Sequence, residues 1–394
     1  MGKWEMVRLG DVCTKTENDN PNLHDGEIIY IDISSINSEN KKIMEYNTIT
    51  SKDAPSRARQ KIRYGDILVS TVRPNLNAVA IVDNKAENLI ASTGFCVLRP
   101  NNKRIDGGYL FEFVKAQSFI LSMTSQARGA SYPAVSNKIV MDECIPLPPL
   151  ERQKKIADIL ARTIALIEKR KAQITKLDLL VKSRFMEMFE NGKFELVKLE
   201  DICGFITKGT TPPTNQIYKN PIESGIPYLK VYNLSDTGVL FFWKEPQYID
   251  AETHNTLLAR SKVYPNDVLM NIVGLPLGKF ALVTNDYEEW NINQAIAIFR
   301  SKERVLPIYL LYAMMQPDVL RPFLEQGVGI RQINLSLKQC RELEIPLPPL
   351  DLQARFTDFV CIAEKTKSDL RQGLNELELL YKSLRQKCFN GEIS

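Results

Sequence analysis

The chain has 394 residues, of which 44% are hydrophobic and 25% charged, with a formal net charge of +4. That is room for two ordinary domains plus connecting helices, in a composition typical of soluble globular proteins. No apolar run approaches the ~18 residues that cross a bilayer, and no signal-peptide pattern follows Met1. A cytoplasmic location with no membrane partner is the expectation, and the mild positive charge permits nucleic acid without demanding it.

In chain order, WEMVRLGDVC opens the first part at Trp4–Cys13. Strands are predicted over Glu27–Ile33, Ile67–Thr71, Ala78–Val82 and Phe95–Leu98, with Gly, Asn and Pro in the turns, then a helix over Tyr109–Ser122. IPLPPL follows at Ile145–Leu150. Pro146, Pro148 and Pro149 fix φ and lack an N–H, so this stretch must be extended. Pro149 suits the start of a helix, where a missing donor costs nothing.

Beyond the prolines the period becomes helical. Ile156, Leu160, Thr163, Ile167, Arg170, Ile174, Leu177, Val181, Arg184 and Met188 alternate spacings of four and three, a coiled-coil seam with polar interruptions. Arg170 sits awkwardly on that seam unless its charge snorkels. A helix of about 40 residues is roughly 60 Å long, and Asn191-Gly192 ends it.

The chain then repeats itself. FELVKLEDIC at Phe194–Cys203 restates the opening, and IPLPPL returns at Ile345–Leu350, 200 positions after its first appearance. Gln126, Gly129, Ser136, Lys138, Gln153, Asp158, Leu177, Lys182, Ser183 and Phe189 recur 200 positions later. Strands are predicted over Pro227–Val231, Val268–Ile272, Phe280–Val283 and Ala295–Phe299, and a helix over Ile308–Leu324. The second seam holds Phe356, Val360, Ala363, Lys367, Leu370, Leu374, Leu377, Tyr381, Leu384 and Cys388. Neither long helix is stable alone in water, so they should pack on each other. The expected fold is α+β: a tandem duplication of a mixed, mostly antiparallel-sheet domain followed by a long helix, the two helices forming an antiparallel coiled coil. The expected segments are residues 1–150 and 193–350 for the domains, and 151–192 and 351–394 for the helices.

Catalytic chemistry is hard to find. Only His24 and His254 exist, too few for a Ser-His-Asp triad or a histidine metal site in both halves, and each reads as a surface residue. The seven cysteines are scattered without a Cys-x-x-Cys and read as packing residues in a reducing compartment. Gly274–Phe280 is one residue short of a phosphate loop and has Phe where Ser or Thr belongs. Gly327-Val328-Gly329 lacks the third glycine of a dinucleotide site. Neither a cofactor site nor a metal site is expected.

Cations and amides, the side chains that contact phosphates and base edges, gather in predicted loops. In the first half these are Arg57, Arg59 and Lys61, with Arg63 beside them; Arg73, Asn75 and Asn77; and Arg128, Ser131 and Tyr132. In the second half they are Lys208, Thr210 and Thr211; Lys230 and Asn233; Lys279; and Arg331, Gln332 and Asn334. The alternative for each cluster is a solvated turn. Loop 126–135 and its repeat 326–335 stand out, because their frame is kept while the interior changes from ASYPA to IRQIN. Two different half-sites would require that.

These features together resemble the specificity subunits of type I restriction-modification systems. The resemblance rests on the two domain openings, the twin IPLPPL hinges with their following Gln, the long helices ending in Phe and Asn-Gly, and the GFITKGTTP stretch at Gly204–Pro212. Thr14–Asn22 of the first half departs from that last pattern. The resemblance implies a non-catalytic reader of a bipartite, asymmetric double-stranded DNA site, docking two methyltransferase subunits and later motor-endonuclease subunits. It implies that the helices set the half-site spacing, and that S-adenosylmethionine, ATP and Mg²⁺ belong to the partners. The specificity chain of a two-subunit restriction enzyme outside type I, and a coiled-coil scaffold or adaptor, are the alternatives.

Overall fold

The computed structural model describes residues 4–190, 192–274, 276–326, 334–390 and 392, with side chains omitted at 323–326. The chain divides into two compact units, Met1–Lys171 with Gln372–Ser394, and Ala172–Arg371. Each unit joins one globular domain to the start of one long helix and the end of the other.

The first domain holds two four-stranded sheets. One has the order 47–50, 27–31, 89–92, 58–61, and the other 13–14, 95–100, 67–70, 79–81. The second domain repeats both orders, as 248–249, 226–229, 290–292, 262–263 and 203–208, 296–301, 268–271, 280–282. One pairing in each domain is parallel, 89–91 on 29–31 and 228–229 on 291–292; the other pairings within these sheets are antiparallel. Ile67–Ser70 and Val268–Asn271 are buried along their whole length, as central strands covered on both faces are.

The two repeated sequence motifs pair with each other. Met6–Arg8 forms an antiparallel ribbon with Cys144–Pro146, placing Val7 opposite Ile145, and Glu195–Lys198 does so with Glu344–Leu347, placing Val197 opposite Ile345. The domain opening therefore closes on the proline hinge. Further twin contacts hold the hinges: the Tyr109 hydroxyl donates to the Pro146 carbonyl at 2.8 Å, and that of Tyr309 to Pro346 at 2.6 Å. The buried Gln153 amide donates to the Arg104 and Pro148 carbonyls and accepts from the Asp106 N–H; Gln353 does the same with Arg304, Pro348 and the Leu306 N–H. Bidentate ion pairs Arg99–Asp66 and Arg300–Asp267 brace equivalent strands.

The long helices span Leu150–Phe189 and Leu350–Phe389. In the first unit Ile156 and Leu160 share a core with Cys388, flanked by Leu384 and Phe389; in the second, Val181, Phe185 and Phe189 share one with Phe356, Val360 and Ala363. The start of one helix thus lies against the end of the other in both units, which makes the pair antiparallel. Every seam position read from the sequence is buried or half-buried. Arg170 is half-buried there, its guanidinium lying over Gly373, where even an added Cβ would meet it only at an ordinary contact distance of 3.8 Å.

Three expectations change. The helices predicted over 109–122 and 308–324 are each two, Gly107–Val114 with Gln117–Gln126, and Pro307–Met314 with Pro317–Gln326. Pro317 accounts for the second break, since the residue before a proline avoids helical backbone. His254 is fully buried rather than exposed: its ring bonds Glu289 at 2.9 Å and Asn291 at 3.1 Å, and burial lowers its pKa. Cys144 and Cys361 are exposed and do not pack, while burial pushes the Cys96, Cys203 and Cys340 thiols up to about 12.

Candidate nucleic-acid interface

In the first domain, strand Ile67–Ser70 delivers the chain into a tight turn, and a second loop comes to meet it. Val72 bridges Ala134, the Val135 N–H donates to the Thr71 carbonyl, and Arg128 closes the second loop through paired bonds of 2.9–3.0 Å with Ala134. Arg73, Asn75, Arg128, Ser131 and Tyr132 are all exposed at this place. The Arg73 guanidinium lies 4.8 Å over the Tyr132 ring, a cation–π contact that steers the charge without neutralising it.

Arg57 belongs to the same end of the domain. Its carbonyl accepts the Thr93 N–H, while the neighbouring Gly94 carbonyl accepts both the N–H and the hydroxyl of Thr71. Exposed Thr93 was missed by the sequence reading, because it sits in a short turn without a charge. Arg59 and Lys61 are engaged elsewhere: Arg59 donates to the Ala58 carbonyl at 2.8 Å, and Lys61 pairs with Asp19 at 3.3 Å. Asn77 is a correction. Its side chain is buried and donates to the Val114 carbonyl at 2.9 Å, so it holds the turn from inside instead of lying on the loop surface.

The second domain builds the same end. Val273 bridges Asn334, and the Leu335 N–H donates to the Ile272 carbonyl, matching Val72, Ala134 and Val135. Asn334 is exposed; Arg331 and Gln332 lie outside the described residues. Lys208, exposed, pairs in register with Ala297, and the Gly209 N–H donates to the Ile296 carbonyl. Gly209 must be glycine, because a Cβ would lie 2.2 Å from the Ile292 oxygen. Behind it Thr210 is half-buried, accepting from Tyr228 at its carbonyl and from Arg260 at its hydroxyl, while Thr211 is exposed.

Lys230 is half-buried at the end of strand Ile226–Leu229, whose Leu229 carbonyl accepts the Asn293 N–H. Exposed Gln294 in that turn is the counterpart of Thr93 and was also missed. Lys279 is half-buried, its N–H bonded to Asn271 Oδ1. Asn233 is the second correction: its buried side chain accepts from the Lys230 N–H and donates to the Phe241 carbonyl. It shapes the loop from inside.

A family model for the type I restriction modification DNA specificity domain matches residues 1–176 and again residues 191–379. The type I restriction enzyme MjaVIII specificity subunit of Methanocaldococcus jannaschii is 24% identical over 422 residues, covering 99% of this chain and 93% of that protein. The type I restriction enzyme EcoKI specificity subunit of Escherichia coli K12 is 23% identical over 376 residues, covering 85% and 76%. A chain solved in work on complex assembly and conformational transition of the type I R-M system is similar in structure, with a TM-score of 0.67 and 27% identity over 100% of this chain and 99% of that one. The S subunit of the type I system from M. genitalium shares the fold at a TM-score of 0.55 and 14% identity, covering 98% and 96%. With the family's DNA specificity domain matched once on each half, and an equivalent loop cluster built at one end of each, this chain belongs to the type I restriction-modification DNA specificity family.

Proposed function

We propose that this chain is the non-catalytic subunit that reads a bipartite DNA site for a type I restriction-modification complex, each domain reading one half-sequence. The observation that carries the reading is the twin loop cluster: the same backbone bridge, Val72 to Ala134 and Val273 to Asn334, frames loops whose side chains differ. One frame with two interiors gives two specificities. Arg73, Arg57 and Arg128 serve the first half-site, and Lys208, Lys230 and Asn334 the second, as contacts to phosphates and base edges.

The duplicated hinges and helix ends present two similar surfaces, which suits two methyltransferase subunits, with motor-endonuclease subunits joining that assembly. S-adenosylmethionine, ATP and Mg²⁺ are then the partners' cofactors, and the complex works in the cytoplasm. Among the described residues no helix is long and apolar enough to cross a membrane.

Selection of bound or methylated duplexes from a random library tests the reading. The expected result is two short sequences separated by a fixed gap, with Arg73→Ala relaxing one and Lys208→Ala weakening the other. A single continuous sequence, or variants that disturb both halves alike, would refute it.

A further inference from the structure

The two reading turns are one turn built from different residues. Register sets the correspondence: Val69 pairs with Val79 and Met270 with Phe280, so each position of the first turn matches the one 201 residues later. Both turns need left-handed backbone at two points. The second domain places Gly274 and Gly278 there, at φ +88 and +86; the first places Arg73 and Asn77, at φ 49 and 47. Glycine enters this region freely, whereas a residue with a Cβ is strained and persists only where its surroundings hold it.

The two turns are held differently. In the second domain Asn271, at the strand end itself, donates to the Pro276 carbonyl at 3.0 Å and accepts the Lys279 N–H at 2.7 Å. The matching residue in the first domain is Ser70, whose short side chain reaches only Val72. Support there comes from elsewhere in the domain. Pro133 accepts the Arg73 N–H at 2.7 Å, Val114 accepts from the Asn77 side chain, and Lys41 Nζ donates to the Asn77 carbonyl at 2.5 Å.

Lys41 is itself at φ 59, in the turn between strands Ile36–Asn37 and Lys42–Ile43. Among the described residues five non-glycine residues have positive φ, and three of them, Lys41, Arg73 and Asn77, meet at this one turn. The Lys41 ammonium is half-buried, and the Asn77 carbonyl is its hydrogen-bond partner. The charged groups facing it are cations, Lys115 after helix Gly107–Val114 and Arg385 on the second long helix; the nearby carboxylate Glu112 is bound to Lys115 and to the Tyr381 hydroxyl. A half-buried cation among cations is costly to keep. It is intelligible if the Asn77 carbonyl needs that donor.

We infer that Lys41 is a positioning residue for DNA recognition by the first domain: its ammonium clamps the Asn77 carbonyl and so holds turn 73–77 in the strained form that presents Arg73 and Asn75. The second domain has no need of such a clamp, because Gly278 adopts the same backbone without strain. The inference rests on the reading of this chain as a DNA reader.

The test uses the intact complex and its selected duplex, with base changes confined to one half at a time. Lys41→Met is expected to lower discrimination tenfold or more at the half-sequence that Arg73→Ala relaxes, and to leave the other half within twofold. Lys41→Arg should restore it. Asn77→Gly copies the second domain's solution, so in that background Lys41→Met should have no further effect. Lys41→Met should likewise add nothing to Arg73→Ala, because both act through one turn. Unchanged discrimination in Lys41→Met, equal loss at both halves, or a full loss that persists with Asn77→Gly would overturn the inference. Should the library yield no selected sequence at all, the DNA-reader assignment fails and this inference with it; two selected half-sequences with an inert Lys41 would overturn the inference alone.

Discussion

Lys367 Nζ on the second long helix lies 2.6 Å from Asp178 Oδ1 on the first, with the lysine only 2% exposed. Glu364, one turn before Lys367, is its second partner. The matching position on the first helix is Ile167, also buried, so the repeat has placed an ion pair in one unit where the other has an aliphatic contact.

Removing Asp178 leaves the lysine with Glu364 alone, so Asp178→Ala should cost less than the roughly 3–5 kcal/mol of breaking a fully buried pair. Lys367→Ile copies the other helix and should be neutral or stabilising, since apolar replacements of buried pairs often are. Urea midpoints of the two variants decide it: a strongly destabilised Lys367→Ile would mean that the pair contributes more than the packing it displaces.

Arg73 gives a case where stability and recognition separate. Arg73→Gly relieves a left-handed residue with a Cβ, worth about 1–2 kcal/mol, against roughly 0.4–1 kcal/mol of added unfolded-state freedom. The variant should melt at or slightly above the wild-type temperature, yet lose discrimination at one half-sequence. A marked fall in melting temperature would show that the contact with Tyr132 outweighs the strain.

The pH dependence of Lys41 has a definite sign. Burial, with Lys115 and Arg385 adding repulsion, holds its pKa down to about 8, against an ordinary 10.5. Below pH 8 the folded and unfolded forms are both protonated. Between about 8 and 10.5 the unfolded chain binds more protons, so this group makes the fold more stable as pH rises. Denaturation across that window should show a smaller rise for Lys41→Met than for wild type. Identical slopes would mean that Lys41 titrates normally.

The helices offer a test of half-site spacing. Inserting four residues after Lys171 and four more after Arg371 falls on the boundaries of the two units, so each unit keeps its own seam contacts. Each helix lengthens by about 6 Å, a little under two base pairs of rise at ~3.4 Å each. Four residues exceed one turn by only ~40°. The two half-sequences should stay the same while the selected gap grows by one or two base pairs. A folded variant with the original gap would show that the helices do not set it.

Much of this architecture is legible in the sequence because it is periodic or covalently constrained. The helix seams follow from spacings of four and three, which put those positions on one face whatever the partner. The prolines of IPLPPL dictate extended chain ending in a helix start, and the duplication reveals itself by direct comparison of the halves. The single helix expected over 308–324 overlooked a signal that the sequence does carry, Pro317, whereas the equivalent break at Ala116 carries no local signal, its backbone simply turning extended at φ −68, ψ 145.

Long-range pairing is what the tertiary structure alone decided. That the domain opening pairs with the proline hinge, as Val7 does with Ile145, depends on contacts about 140 residues apart that no local pattern encodes. The same holds for which loop residues face outward. Asn75 and Asn77 are alike in sequence, two positions apart in one turn, yet Asn75 is exposed while Asn77 is buried on Val114. Chemistry named the residues suited to a DNA contact; burial and backbone register determined which of them are exposed.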